Sequence, residues 1–207
     1  FDLYATWGFP RDLVEQMARE DGLTVDRAGW DRAEAKHREA SRSQGFGMAF
    51  DMREIEGLAA TKNEFYRESN CDGLRSSSRP IKMIGDDKLI LETSPFYAES
   101  GGQVGDSGAV VAEGFRFRVD DTQRYGDVVV LHGVLEQGNP ESLPSTLTAE
   151  VDVERRRAVM RNHTATHLLH WALHQVLGDD ATQQGSLVAE DRLRFDLTHP
   201  KGITPDE

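Results

Sequence analysis

A chain of 207 residues with a formal net charge of -12, 38% apolar and 29% charged, can bury ordinary cores in one large domain or two to three small ones. The acidic balance excludes an extended nucleic-acid surface, because phosphate is contacted mainly by Lys and Arg, although a small local contact stays open. The single cysteine, Cys71, excludes an internal disulfide and fits a reducing compartment, and no apolar run approaches a membrane span, so the expected setting is cytoplasmic.

The opening Phe1-Asp2-Leu3-Tyr4 has no signal-peptide pattern and no initiating methionine, which suggests a segment excised from a larger protein. From Phe1 to about Tyr66 the periodicity is helical. Gly8-Phe9-Pro10 ends an extended lead-in, and Pro10 suits a first helical turn because its φ is fixed. Leu13, Val14, Met17 and Ala18 recur at helix spacing until Asp21-Gly22 stops the run. Thr24 or Asp26 can cap a second helix, in which Trp30, Ala33 and His37 share a face among alternating charges. His37 reads as a solvated residue with no further role. The stretch Ser41 to Phe50, with Gly45 and Gly47, reads as mobile.

From about Arg79 to Asp152 the period becomes two. Ile81-Lys82-Met83-Ile84 and Lys88-Leu89-Ile90-Leu91 flank Gly85-Asp86-Asp87, a hairpin signal. Phe115 to Val119 alternates, Val128 to Leu131 is a buried-strand run, and Leu147 to Val151 alternates again. Short strands with Gly-rich turns predict a small antiparallel barrel. No cluster of His, Cys and carboxylates falls at ligand or triad spacing between these strands. In the loop Glu99 to Gly108, glycines 101, 102, 105 and 108 could present N–H groups to an anion. The spacing misses the dinucleotide fingerprint and no Gly-Lys-Ser/Thr follows, so tight turning is the favoured explanation.

A helix is expected from Val153 to Leu177, stopped by Gly178. Ala165, Leu168, Leu169, Ala172, Leu173 and Val176 form its apolar face. At roughly 100° per residue, His163, His167, His170 and His174 fall opposite, as an outward stripe rather than core histidines. His163 and His167 stand at i and i+4, the spacing by which two histidines share a zinc ion; His170 and His174 compete for that role. A polar outer face that happens to use His is the alternative. A zinc site needs three or four protein ligands, and no cysteine follows His167, so the pair reads as half a site. Thr164 stands where a metalloprotease needs Glu. Arg155, Arg156, Arg157 and Arg161 oppose the helix dipole, which points either to a phosphate contact or to pairing with Asp152, Glu154 or other acidic neighbours. Beyond the helix, Ser186-Leu187-Val188 and Leu193 to Leu197 read as strands packed on it. Thr204-Pro205-Asp206-Glu207 has the form of a capping box, so a new helix, and a truncated domain, are expected there.

Three stretches resemble the alanyl-tRNA synthetases: Leu3 to Leu13 with Gly8-Phe9-Pro10; Thr93-Ser94-Pro95-Phe96-Tyr97-Ala98-Glu99-Ser100-Gly101-Gly102-Gln103 through Gly108; and Arg161-Asn162-His163 to His170, followed by Gln183 to Val188 and Leu193 to Asp196. The likeness covers the whole chain in order, most weakly from Ser41 to Ile90. It implies an α+β chain: residues 1–75 as the helical end of the middle, tRNA-recognition region, 76–153 as a translation-protein-like antiparallel β-barrel, and 154–207 as the beginning of an α/β editing domain. It implies a ligase joining alanine to its tRNA with ATP and Mg, and an editing activity that hydrolyses seryl- or glycyl-tRNA. Editing has a physical reason, since a pocket shaped for alanine cannot exclude glycine and rejects an added hydroxyl poorly.

By the same resemblance His163 and His167 are the first two zinc ligands, Gln183 and Thr166 line the editing pocket, and a later Cys-x-x-x-His has no counterpart here. Cys71 is no substitute for it. The aminoacylation domain is expected to be absent, the fragment inactive by itself, the acceptor end of alanine tRNA the partner, and any homo-oligomer to form through an absent C-terminal region. A freestanding editing hydrolase sharing the barrel and the His pair is the alternative; the leading helical segment favours the synthetase. A structural module without activity is a third reading of the fragment.

Overall fold

Phe115, Phe117 and Val119 are buried while Arg116, Arg118 and Asp120 face solvent, and this period of two produces one long strand. The computed structural model describes residues 11, 14–15, 18, 22–42, 51–65, 74–178, 181–199 and 202–204. The lead-in Gly8-Phe9-Pro10, the stretch 43–50, Cys71 and the closing residues Pro205 to Glu207 lie outside them, with the expectations attached to each. The described chain forms two compact units.

One unit holds Asp51–His167 and Leu187–Leu193. Its strands are β1 (Lys62–Asn63), β2 (Arg75–Ser78), β3 (Pro80–Ile84), β4 (Lys88–Leu91), β5 (Thr93–Ser94), β6 (Gly108–Ala112), β7 (Phe115–Tyr125), β8 (Val128–Gln137) and β9 (Leu147–Val151). Seven of them make one antiparallel sheet in the order β2-β9-β6-β7-β8-β4-β3. Turns at Gly85, Gly114 and Gly126, all with positive φ, join the three hairpins. The sheet curls until its two ends, β2 and β3, are separated in sequence only by Arg79. They do not pair with each other in the ladder, so the expected barrel is a curled, partly open sheet. The reason is local: the single residue Arg79 cannot reverse the chain, so β2 and β3 follow one another, β2 pairing with β9 and β3 with β4.

The concave face carries the core: Leu89, Leu91, Phe96, Val110, Phe117, Val129, Leu131 and Leu147 pack in one cluster. Burying each contributes about 1.5–3 kcal/mol relative to exposure. The expected hairpin, the alternating segments at Phe115 and Leu147 and the buried run at Val128 are all strands. Strands β1, β2, β5 and β6 show no period of two in the sequence and were not legible in the pattern.

The other unit holds Phe1–Phe50, Leu168–Ser186 and Arg194–Glu207. Arg11, Val14, Glu15 and Ala18 are helical, and Gly22, at φ 71°, follows them as the expected stop. Helix α1 (Arg27–Arg42) begins where Asp26 Oδ1 accepts the Gly29 N–H at 3.0 Å, so Asp26 rather than Thr24 is the cap. Trp30 is buried, with the Arg11 guanidinium 5.7 Å from its ring centre. Strands β10 (Thr182–Val188) and β11 (Leu193–Thr198) pair in a two-stranded sheet and begin earlier than, and end later than, their apolar cores suggest.

Candidate metal half-site on the long helix

Helix α2 (Val153–Leu177) starts at Asp152, whose Oδ1 accepts the Arg155 N–H at 3.0 Å while its own N–H donates to Ser107 O at 2.8 Å. The loop between β5 and β6 therefore meets the helix at its first turn. There the Arg156 guanidinium, buried, donates from Nε to Asp106 Oδ1 and Oδ2 at 2.8 and 2.9 Å, from Nη2 to the same carboxylate, and to Pro95 O at 3.1 Å. Asp106, 2% exposed, also accepts the Tyr97 N–H at 2.6 Å, and its carbonyl accepts from Thr122 Oγ1 at 2.9 Å. Arg155 donates to Gly105 O at 2.7 Å and pairs with Glu190 at 3.3 Å. Of the two readings of the arginine cluster, pairing holds for Arg155 and Arg156, and Arg157 lies 3.7 Å from Glu154. The Gly-rich loop is accordingly a structural clasp. Gly102 turns at φ 82°, and a Cβ on Gly105 would collide with the backbone of Thr122.

This anchoring reverses the expected orientation of α2. Leu168 is 63% exposed, Trp171 66% and Val176 53%, whereas Val159, Thr166 and His170 are buried and His163, His167 and His174 half-buried. The histidine stripe faces inward, and the outward-stripe expectation is corrected. The surface that α2 covers near its start is polar, offering Asp106, Gln103 and backbone carbonyls, and a buried polar face needs donors that leucines lack.

Within that stripe the His163 and His167 rings lie 4.8 Å apart, centre to centre, with their Nε2 atoms facing each other at 3.0 Å. Burial lowers the His167 pKa from its ordinary value, which keeps that ring neutral near pH 7. Gln103, 7% exposed and not singled out by spacing, sets its Oε1 2.7 Å from His163 Nδ1. Its backbone is held by reciprocal bonds with Ser100 and by the bridge to Val188, where Val104 N donates to Val188 O at 3.1 Å and Val188 N to Gly102 O at 2.8 Å. Its sequence signals were its place in the Thr93–Gly108 stretch quoted above and a long polar side chain set between glycines that turn the loop.

The pair fits half a zinc shell. Two nitrogens bound at ~2.0–2.1 Å in a tetrahedron stand roughly 3.3–3.4 Å apart, a few tenths of an ångström beyond the observed gap. Among the described residues no group of three or more His, Cys, Asp or Glu converges, so the remaining ligands are not supplied by them. Thr166, expected in the pocket, is buried and donates its hydroxyl to Asn162 O at 2.8 Å, as helical Thr commonly does. Gln183 lies half-buried on β10 in the other unit. There His170 and His174 meet edge to face at 4.7 Å, with Phe195 5.1 Å from His170, an aromatic packing cluster.

A family model described as tRNA synthetases class II (A) matches residues 1–155. Curated proteins similar to the chain include alanine–tRNA ligases. That of Roseiflexus sp. (strain RS-1) is 43% identical over 219 residues, covering 100% of this chain and 24% of that protein. Those of Stenotrophomonas maltophilia (strain K279a) and Rhodopseudomonas palustris (strain ATCC BAA-98 / CGA009) are 43% and 44% identical, each with 100% of this chain and 25% of the relative covered. The chain thus spans about a quarter of the length of these relatives.

Proposed function

We propose, because the chain belongs to the class II tRNA synthetases and resembles alanine–tRNA ligases along its whole length, that it is the part of such a ligase linking tRNA recognition to editing. On this reading residues 1–75 end the tRNA-recognition region, 76–153 form the barrel and 154–207 begin the editing domain. The whole protein ligates alanine to its tRNA with ATP and Mg in a domain outside this chain, takes the tRNA acceptor end as partner, and hydrolyses mischarged seryl- or glycyl-tRNA. His163 and His167 hold one half of a zinc shell, with Thr166 and Gln183 near the editing pocket. Zinc, when bound, supplies a fixed Lewis-acid charge there. The chain's own residues do the positioning: the Arg156–Asp106 clasp sets the helix against the loop, and Gln103 orients His163.

The observation that carries this reading is the convergence of the two Nε2 atoms at 3.0 Å on an inward helix face. A freestanding editing hydrolase is the second reading; the match of the family model to residues 1–155, leading helical segment included, supports the ligase instead. Elemental analysis tests the proposal. The 207-residue chain should hold little zinc after dialysis, and a chain extended through the parent's next Cys-x-x-x-His should hold one equivalent and lose it on His163→Ala. The extended chain should also hydrolyse seryl-tRNA, and the 207-residue chain should show neither that activity nor alanine-dependent pyrophosphate exchange. Equal, stoichiometric zinc in both, unaffected by His163→Ala, would place the ligands elsewhere.

A further inference from the structure

We propose that Gln103 is a positioning residue that holds His163 as the Nδ1–H tautomer and thereby commits its Nε2 lone pair to the site shared with His167. The functional consequence rests on the metal reading above; the tautomer assignment does not.

The chemistry follows from one contact. Gln103 Oε1 can only accept, so at 2.7 Å from His163 Nδ1 it requires a proton on that nitrogen. In a neutral ring the proton can sit on one nitrogen only, so Nε2 is left as a lone pair. That atom faces His167 Nε2 at 3.0 Å, and the neutral pair is satisfied when His167 Nε2–H donates to it. The two histidines are therefore unequal. His163 is preset as a ligand, while neutral His167 must carry its proton on Nδ1 instead of Nε2 before both lone pairs can converge on one cation. Gln103 is suited to this task because it is itself immobilised. It is 7% exposed, its N–H and C=O are both bonded to Ser100, and the neighbouring backbone is bridged to Val188. On the other side Asn162, next to His163, donates from Nδ2 to Ala189 O at 2.7 Å, one residue beyond Val188. Loop and helix are thus keyed to the same short segment, which fixes the distance across which Gln103 acts. Hydrogen bonds of this kind on a metal-binding histidine typically change affinity roughly 10–100-fold.

The test is nitrogen NMR of the histidine side chains in the 207-residue chain, at a pH above the histidine range and without metal. His163 should show a protonated, pyrrole-like Nδ1 and a pyridine-like Nε2 in the native chain. Gln103→Glu keeps an acceptor and should preserve that pattern; Gln103→Leu removes it and should shift His163 toward the Nε2–H form that free histidine favours. Backbone spectra of both variants report whether the fold is intact. If Gln103→Leu does not fold, the Gln103→Glu pattern decides alone. An Nε2–H His163 in the native chain or in Gln103→Glu, or a folded Gln103→Leu with the native pattern, overturns the proposal. Zinc affinity of the parent protein is measured separately and should fall roughly 10–100-fold in Gln103→Leu and be retained in Gln103→Glu. Tautomers that behave as stated in a parent that binds no zinc would overturn the metal reading and leave the assignment of Gln103 standing.

Discussion

Removing the Arg156 guanidinium while keeping its apolar stem, as in Arg156→Met, tests whether the clasp between loop and helix governs stability. The side chains of Arg156 and Asp106 are 8% and 2% exposed, so water cannot replace what is lost. The Asp106 carboxylate would keep the Tyr97 N–H but lose every contact from Arg156, and Pro95 O would lose its donor. Breaking a buried ion pair from one side costs about 3–5 kcal/mol, mostly because the remaining charge stays buried. With a urea dependence of roughly 2 kcal/mol per molar, the unfolding midpoint should drop by about 2 M. Far-UV circular dichroism in urea reads this directly. Arg157→Met is the control: its partner Glu154 is 87% exposed at 3.7 Å, and the change should be within about 0.5 kcal/mol. The double variant Arg156→Met/Asp106→Leu should cost less than the sum of its single variants, since it removes the orphaned charge as well. The reasoning fails if Arg156→Met shifts stability by less than about 1 kcal/mol, or if the two single costs simply add.

Helix orientation gives a second prediction: Leu168→Glu should change stability by no more than about 0.5 kcal/mol, whereas Val159→Ala, at a buried position, should cost about 2 kcal/mol by the same denaturation. The reverse ranking would restore the outward-histidine arrangement. Gly105→Ala should destabilise by about 1–3 kcal/mol through its collision with the Thr122 backbone; a neutral result would show that the loop can retreat from the strand. Burial is the largest influence on His132 and lowers its pKa from 6.5, so the unfolded chain binds protons more readily as pH falls below that value. Stability should be fully present above pH 6.5 and decline as pH falls through the folded-state value. His167 contributes with the same sign, so thermal melts of native chain and His132→Phe should differ in slope without the variant becoming flat; parallel curves would count against the burial argument.

Local patterns in this chain were enough to read the alternating strands β7 and β9, the buried run of β8, the Gly85 hairpin, the stop at Gly22 and the i, i+4 spacing of His163 and His167. Each depends on the backbone period or on a turn residue's allowed φ, which neighbours in sequence determine. The cap at Asp26 was narrowed to two residues, and the hydrogen bond to Gly29 decided between them. In β2, Arg75-Ser76-Ser77-Ser78, no apolar residue alternates, and in β6, Gly108-Ala109-Val110-Val111-Ala112, no polar one does, so neither shows a period of two; their pairing with β9, and of β6 with β7, makes them strands. The face that α2 turns inward was the deepest misreading. Its four leucines equal its four histidines in number, and amphipathic reasoning assumes that the surface being covered is apolar. Near the start of α2 that surface is the loop carrying Gln103 and Asp106, positions about 50–60 residues away in sequence. A helix chooses its buried face by what that surface can satisfy, and a carboxylate and an amide select arginine and histidine over leucine. Spacing alone thus disclosed which two imidazoles could meet, while their direction, their tautomeric partner and the clasp that holds them were decided by tertiary contact.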